Sequence, residues 1–317
     1  MGIFVHSIQG VVIIIVMIAL GYLLAEWGWF SEDSTKLIAR LVTQIALPAY
    51  MIVTITEHFT AQKLLATLPG LRFPVLNMAI LFGLSFGVMR ALNIRKDHRG
   101  LFSSMFLNSN TVFIGLPVNE ALFGVSALPY VLVYYMANTT IFWTLGVYLI
   151  QRDGVGAATF NWKKTLGKIF SPPLLGFMIG VVLVLLKIQL PTFLMKDFSY
   201  IGGLTVPLSM IFIGISMSNA GLKSMRFDRD SIGILLGRFV FAPVLMTLML
   251  MPMSMPIEMK QVFILQSAMP VMTNAPVVSK LYGADADYAA VMVTETTLLS
   301  LIVIPILMMI VQTNLIH

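Results

Sequence analysis

Long apolar stretches alternate with short polar connections along almost the whole chain. Each stretch is long enough for a helix that crosses ~30 Å of hydrocarbon. The stretches fall near residues 8–27, 36–56, 68–91, 100–121, 127–151, 168–188, 198–218, 230–252, 258–280 and 286–312. The pattern predicts an all-α integral membrane protein with ten transmembrane helices.

Proline-marked segments occur twice at one fixed spacing. Pro48 and Pro207 are 159 residues apart (207 − 48), and so are Pro117 and Pro276 (276 − 117). A constant offset over several segments indicates two copies of one structural unit. Because each copy holds five spans, an odd number, the second copy must enter the membrane from the opposite face. We therefore expect an inverted repeat, which is typical of secondary transporters.

The repeat defines the domain organisation. We expect a first repeat at residues 1–151 with spans 1 to 5, and a second at 168–317 with spans 6 to 10. Residues 152–167, rich in glycine and lysine, form the predicted cytoplasmic linker between them. Pro172 and Pro173 then mark the start of span 6, because proline is tolerated at the first turn of a helix but not in its interior.

Composition agrees with a membrane location and excludes several classes of protein. The chain is 58% hydrophobic and 11% charged, with a mean hydropathy of +0.91. A soluble protein of this composition would expose large apolar patches. Cysteine is absent, which excludes disulfides and thiolate metal sites. The four histidines fall in termini or loops, so we expect no metal centre, no cofactor and no enzyme active site.

Basic residues predict the orientation. The loops after spans 1, 3, 5, 7 and 9 and the adjoining span ends hold fourteen Lys and Arg residues, while the opposite side holds five. The positive-inside rule places the richer side in the cytoplasm and both termini outside the plasma (inner) membrane. The net charge of +6 is explained by this distribution, and no nucleic-acid partner is needed.

Spans 4 and 9 combine prolines with polar residues. Pro117 follows a segment with Asn108, Asn110 and Thr111, and Pro276 follows one with Asn274. Proline interrupts a helix and frees backbone groups, which cost several kcal/mol each in hydrocarbon unless they are paired. A lone proline is commonly only a kink. A pair at equivalent positions of two repeats predicts a polar site, where helix N-termini attract an anion and freed carbonyls suit a cation.

Two charged residues lie well inside spans of the second repeat. Arg238 in span 8 and Glu295 in span 10 lie at similar depths in the membrane, counted from the cytoplasmic end of each span. A buried carboxylate in a membrane is costly and is a functional candidate by default. One interpretation is an ion pair that braces the second repeat. The other is coupling, in which Glu295 exchanges a proton or binds a cation such as sodium and Arg238 supplies positive charge.

Several motifs of the chain resemble those of the auxin efflux carrier family. They are the run NTVFIGLP at residues 110–117, LFG at 122–124, ALP at 46–48 and the two prolines at 172–173. This family includes PIN-type plant auxin exporters and bacterial permeases, and the short linker resembles the bacterial type. The resemblance implies broken, crossing helices 4 and 9, in a plan shared with bile acid symporters and sodium–proton antiporters.

The resemblance also implies a mechanism. Spans 1, 2, 6 and 7 would form a scaffold domain, and spans 3–5 and 8–10 a transport domain that moves like an elevator. A carboxylate substrate would bind at the crossing marked by Pro117 and Pro276, held by Asn110 and Asn274 and, behind them, Asn138. Bacterial members are similar to malate and malonate permeases, so a small dicarboxylate is the expected substrate.

Alternative functions stay open at this stage. Sodium-coupled symport of a larger amphipathic anion fits the same architecture, whereas cation–proton antiport is weakened because no aspartate lies in a span core. An ion channel or a membrane sensor is a different class that transport assays would separate. The expected partners are a small organic anion and the lipid bilayer, and a homodimer through the scaffold domain is left open.

Overall fold

The computed structural model describes residues 2–154, 170–220 and 227–312, and the predicted linker lies outside the described residues from position 155 onwards. These residues form helices, with a single isolated β-bridge and no strand among them. The helices are α1 Gly2–Glu26, α2 Glu32–His58, α3 Ala61–Ala91, α4 Arg99–Leu107, α5 Gly115–Phe123, α6 Val125–Asp153, α7 Pro172–Leu185, α8 Thr192–Asn219, α9 Arg229–Leu250, α10 Ile257–Ser267, α11 Ala275–Tyr282 and α12 Ala286–Gln312.

Membrane-length helices dominate the described residues. Six of them are long and apolar enough to cross a bilayer, namely α2, α3, α6, α8, α9 and α12. Two shorter apolar helices are α7 and the segment Ile15–Glu26 of α1. The predicted spans 4 and 9 are each interrupted, as α4 followed by α5 and α10 followed by α11. The described residues therefore confirm a helical fold with helices long enough to cross a membrane, and both predicted breaks are present.

Local chemistry explains where helices begin and where they widen. The side chain of Asp228 accepts a hydrogen bond from the Ser231 amide at 2.8 Å and so caps α9. Pro172 and Pro173 open α7 as the sequence predicted. A widened π-helical turn at Val42–Ala46 precedes Pro48. Since proline has no amide to donate, such a turn accommodates it without ending the helix.

The chain divides into two compact units. The first unit holds residues 2–69, 116–129 and 170–219 of the described chain. Glycines let its helices approach closely. A Cβ added to Gly176 of α7 would lie 2.6 Å from the Cα of Pro48 in α2, and one added to Gly21 of α1 would lie 2.3 Å from the backbone oxygen of Ile211 in α8. Backbone-to-backbone packing therefore fixes these helix pairs.

The second unit holds residues 70–115, 130–154, 220 and 227–312 of the described chain. The half-helix α4 lies at its centre, with residues 100–107 all buried and α3, α6 and α9 packed around it. The half-helix α10 is buried from Val262 to Ser267 and packs against α9 and α12. The two broken spans thus bring their polar ends into the core of this unit.

We predict that Gly176→Leu destabilises the protein, because the new side chain meets the backbone of Pro48 and the helices must separate. Overpacking of this kind costs roughly 1–3 kcal/mol or more, so the Tm in detergent should fall by on the order of 5 °C. Gly83→Leu is the matched control, since no atom lies within 4 Å of a Cβ at that position. Equal melting temperatures for the two variants would contradict the close packing of α7 on α2.

Candidate functional site

The two helix breaks meet in the core of the second unit. After α4 ends at Leu107, Ser109 forms an antiparallel bridge with Val271, which follows the end of α10. The Asn110 amide donates to the Pro270 carbonyl at 2.8 Å. The chain segments that leave α4 and α10 therefore run past each other in extended form. We call residues 108–111 and 268–274 the crossing.

The side chain of Asn138 in α6 binds one of the two backbone segments of the crossing. Its Oδ1 accepts from the Ser109 amide at 2.9 Å, and its Nδ2 donates to the Ser109 carbonyl at 2.8 Å. Asn108 donates to the Asn138 carbonyl at 3.3 Å. The Asn138 side chain is fully buried. Its amide pairs with both backbone groups of Ser109, as a peptide group of a neighbouring β-strand would. This is the pairing that buried backbone groups require.

The buried side chain of Arg238 in α9 contacts the ends of both half-helices, α4 and α10. Its Nε donates to the Met269 carbonyl at 3.1 Å, its Nη1 to the Phe106 carbonyl at 3.2 Å, and its Nη2 to the Ser267 carbonyl. The residue is fully buried. The last carbonyls of a helix lack intrahelical partners and form the negative end of its dipole. The guanidinium therefore caps the C-terminal ends of α4 and α10 together.

Two further side chains complete the pairing. Thr296 of α12 accepts from the Val271 amide at 3.1 Å while its hydroxyl donates to the Met292 carbonyl at 2.7 Å. Gln266 donates from Nε2 to the Thr111 carbonyl at 3.3 Å. A Cβ at Gly115 would lie 2.3 Å from the Gln266 Oε1, so a larger residue at this position would displace the Gln266 amide. Side chains of α6, α9, α10 and α12 thus all fix the backbone of the crossing.

Other polar atoms at the crossing stay available. Asn110 is 2% exposed, and its Oδ1 accepts from the Phe113 amide at 3.2 Å. Its Nδ2 has no hydrogen-bond partner within the described residues. The same holds for Oδ1 of Asn108 and Oγ of Ser109. Buried polar groups are normally paired, so a cluster of them marks a place for water or a polar ligand.

The structure distributes the predicted site residues over both units. Asn110, Asn138, Asn274 and Pro276 lie in the second unit, whereas Pro117 opens α5 in the part of that helix that belongs to the first unit. Asn274 is half-buried at the N-cap position of α11, and Pro276 lies in the first turn. The amide of Asn274 makes no capping hydrogen bond.

The two buried charged residues have different surroundings. The Arg238 guanidinium donates from all three nitrogens to backbone carbonyls, a role the sequence did not indicate. Glu295 is fully buried in α12, directly before Thr296. Its backbone position thus adjoins the residue that contacts Val271 at the crossing. The geometry links Glu295 to the crossing through α12.

His98 is a residue whose environment the sequence did not predict. It precedes α4 and is 6% exposed. Its Nδ1 lies 3.0 Å from the Asp230 carboxylate and its Nε2 lies 3.1 Å from the Asp285 carboxylate. The Tyr288 ring stacks on the imidazole with a centroid distance of 4.5 Å. His98 thus ties together the segments that lead into α4, α9 and α12, which no local sequence pattern signals.

Comparisons with known proteins agree with a chain of this architecture. The family described as "Membrane transport protein" matches residues 6–308. An uncharacterized transporter of Methanocaldococcus jannaschii is 26% identical over 303 residues, which cover 93% of this chain and 95% of the relative. An uncharacterized transporter of Methanothermobacter thermautotrophicus is 26% identical over 314 residues, covering 96% and 98%. The chain is therefore a multi-pass membrane protein that belongs to the membrane transport protein family, also called the auxin efflux carrier family.

Proposed function

We propose that this protein is a secondary active transporter that moves a small organic anion, with a dicarboxylate such as malate or malonate favoured, across the plasma membrane. The crossing carries this proposal. Interrupted helices in a membrane protein are tolerated where they line a polar cavity or binding site. Here buried side chains pair the backbone of both breaks, and Asn110 keeps an amide available beside them.

Ten spans in two inverted repeats are part of the proposal. The six long helices, the two shorter apolar helices and the two interrupted ones would make up the ten. Helix ends support a repeat at the spacing of the prolines. Phe123 and Tyr282 end α5 and α11 at an offset of 159 (282 − 123).

The orientation follows from charge. We infer that both termini are extracytoplasmic, because basic residues concentrate in the loops on the opposite side of the predicted topology. The half-helix starts at Gly115 and Ala275 would then point their amides into the membrane from opposite sides. Such helix N-termini favour a carboxylate.

We assign some residues to direct contact with the substrate and others to positioning the backbone around it. Asn110 is the direct ligand we favour, because its Nδ2 is buried and uncommitted within the described chain. Asn274 is the second, since its amide is half-buried and does not cap α11. Asn138 contributes by holding the Ser109 backbone in place. Pro117 and Pro276 lie in the first turns of α5 and α11, where the missing proline amide prevents the preceding helix from continuing.

An elevator movement is the transport mechanism we propose. The division of the chain supports it, because α1, α2, α7 and α8 form one unit and the crossing lies in the other. The unit boundary falls at Leu116, inside span 4, so α5 groups with the first unit. We assign spans 1, 2, 6 and 7 to a scaffold domain and spans 3–5 and 8–10 to a transport domain. The scaffold domain would also provide the surface for a homodimer.

Reconstituted protein provides the direct test. Purified protein in liposomes should accumulate radiolabelled malate or malonate against a gradient when a proton or sodium gradient is imposed, and should show counterflow. Uptake of an aromatic acid measures selectivity, and protein-free liposomes are the control. Sodium dependence with preference for a larger amphipathic acid would favour the symporter alternative. Flux that only follows voltage would favour a channel, and no uptake of any acid would contradict an anion carrier.

We predict that Asn110→Ser weakens substrate binding while the protein stays folded. Serine can still accept from the Phe113 amide but has no Nδ2 donor. Loss of one hydrogen bond to a carboxylate, about 1.5–3 kcal/mol, corresponds to an increase in Kd of roughly tenfold or more. Isothermal titration with malate and malonate measures it. Asn219→Ser, an exposed position at the end of α8, is the control and should leave Kd unchanged.

We predict that Glu295→Gln abolishes coupled uptake but preserves the fold. The amide keeps the size of this fully buried side chain and removes its ability to exchange a proton or bind sodium. Counterflow at equal ion concentrations on both sides should persist, whereas gradient-driven accumulation should be lost. Melting temperatures of both proteins give the structural control. Accumulation with unchanged pH and sodium dependence would exclude Glu295 from coupling.

A further inference from the structure

A cavity of about 610 Å³ lies in the second unit, away from the crossing. It is bounded by the C-terminal ends of α3 and α6 and by the start of α4. Four cationic side chains line it, from Arg90, Lys96, Arg99 and Arg152, together with the single carboxylate of Asp153. Neither the crossing nor the proposed substrate site uses these residues.

The cations of the cavity lack carboxylate partners. Within the described chain, none of the four has a carboxylate oxygen within 4 Å, whereas neighbouring Arg95 pairs with Asp97 and lowers the pKa of that carboxyl. Asp153 accepts from the Leu101 amide at 2.7 Å, which commits it to the start of α4. Three positive charges thus remain in excess, a strong field for an anion.

The wall of the cavity is apolar and continues onto an exposed helix face. Phe82 and Phe86 of α3 line it and contact each other edge to face, with centroids 4.9 Å apart. Phe86 is 53% exposed, and Val75 and Ala79, on the same face of α3 as Phe82 and Phe86, are also exposed. In a membrane protein, apolar side chains that project from a spanning helix face lipid tails. The cations therefore lie where the apolar part of α3 ends.

We propose that this cavity binds the phosphate headgroup of an anionic phospholipid, with the acyl chains along Phe82 and Phe86. Basic pockets between spanning helices at the membrane surface are suited to such headgroups. A soluble anion would match the charges but not the apolar wall that leads out to lipid. In the orientation proposed above, the lipid belongs to the cytoplasmic leaflet. The site does not depend on which substrate the protein carries.

The test is thermal stability of the full-length protein in detergent. Phosphatidylglycerol or cardiolipin added to the micelles should raise the Tm, while phosphatidylcholine should not. The variant Lys96→Gln/Arg152→Gln should lose roughly half or more of that rise, because two of the four cations are gone. Lys36→Gln/Arg40→Gln is the matched control, since it removes the same charge from the first unit and should respond like the wild type.

Three outcomes would overturn the proposal. An equal rise with phosphatidylcholine would show a general lipid effect, and an equal rise in the Lys96→Gln/Arg152→Gln variant would place the lipid elsewhere. An equal rise with inorganic phosphate in lipid-free micelles would assign the cavity to a free anion. If the double variant does not fold, the single variant Lys96→Gln, at an exposed position before α4, serves the same comparison.

Discussion

The need to pair backbone groups at a helix break inside a membrane governs this structure. Water is scarce there, so freed amides and carbonyls must find partners within the protein. Arg238 meets this need for the ends of α4 and α10 at once, and Asn138 and Thr296 meet it for Ser109 and Val271. The cost of a buried guanidinium is offset because two negative helix ends surround it.

This pairing separates residues that build the crossing from residues that remain for a ligand. A side chain such as Asn138 has both amide atoms committed to one peptide unit and keeps the backbone in place. Asn110 commits only its Oδ1, to a turn within its own segment. Its position is therefore fixed without its donor being consumed. A preorganised donor of this kind would bind the proposed anion with a smaller loss of conformational entropy.

The sequence predicted those features that depend on local chemistry. Apolar length predicted the spanning helices, and the prolines at 117 and 276 predicted the interruption of spans 4 and 9. The contacts of Arg238 could not be predicted, because a single buried cation indicates only that acceptors exist, and either backbone carbonyls or a carboxylate can accept its hydrogen bonds. His98 illustrates the same limit, since Asp230 and Asp285 reach it only through tertiary packing.

The anchors of the crossing are not duplicated with the proposed repeat. At the offset of 159, Arg238 corresponds to Ala79, Thr296 to Ala137 and Asn138 to Thr297. One set of anchors is sufficient because both breaks meet at one place, where a single guanidinium reaches both helix ends. In the proposed repeat, the two copies would then be free to diverge in their remaining side chains. The crossing thus carries an asymmetric set of polar groups, which suits one ligand bound in one orientation.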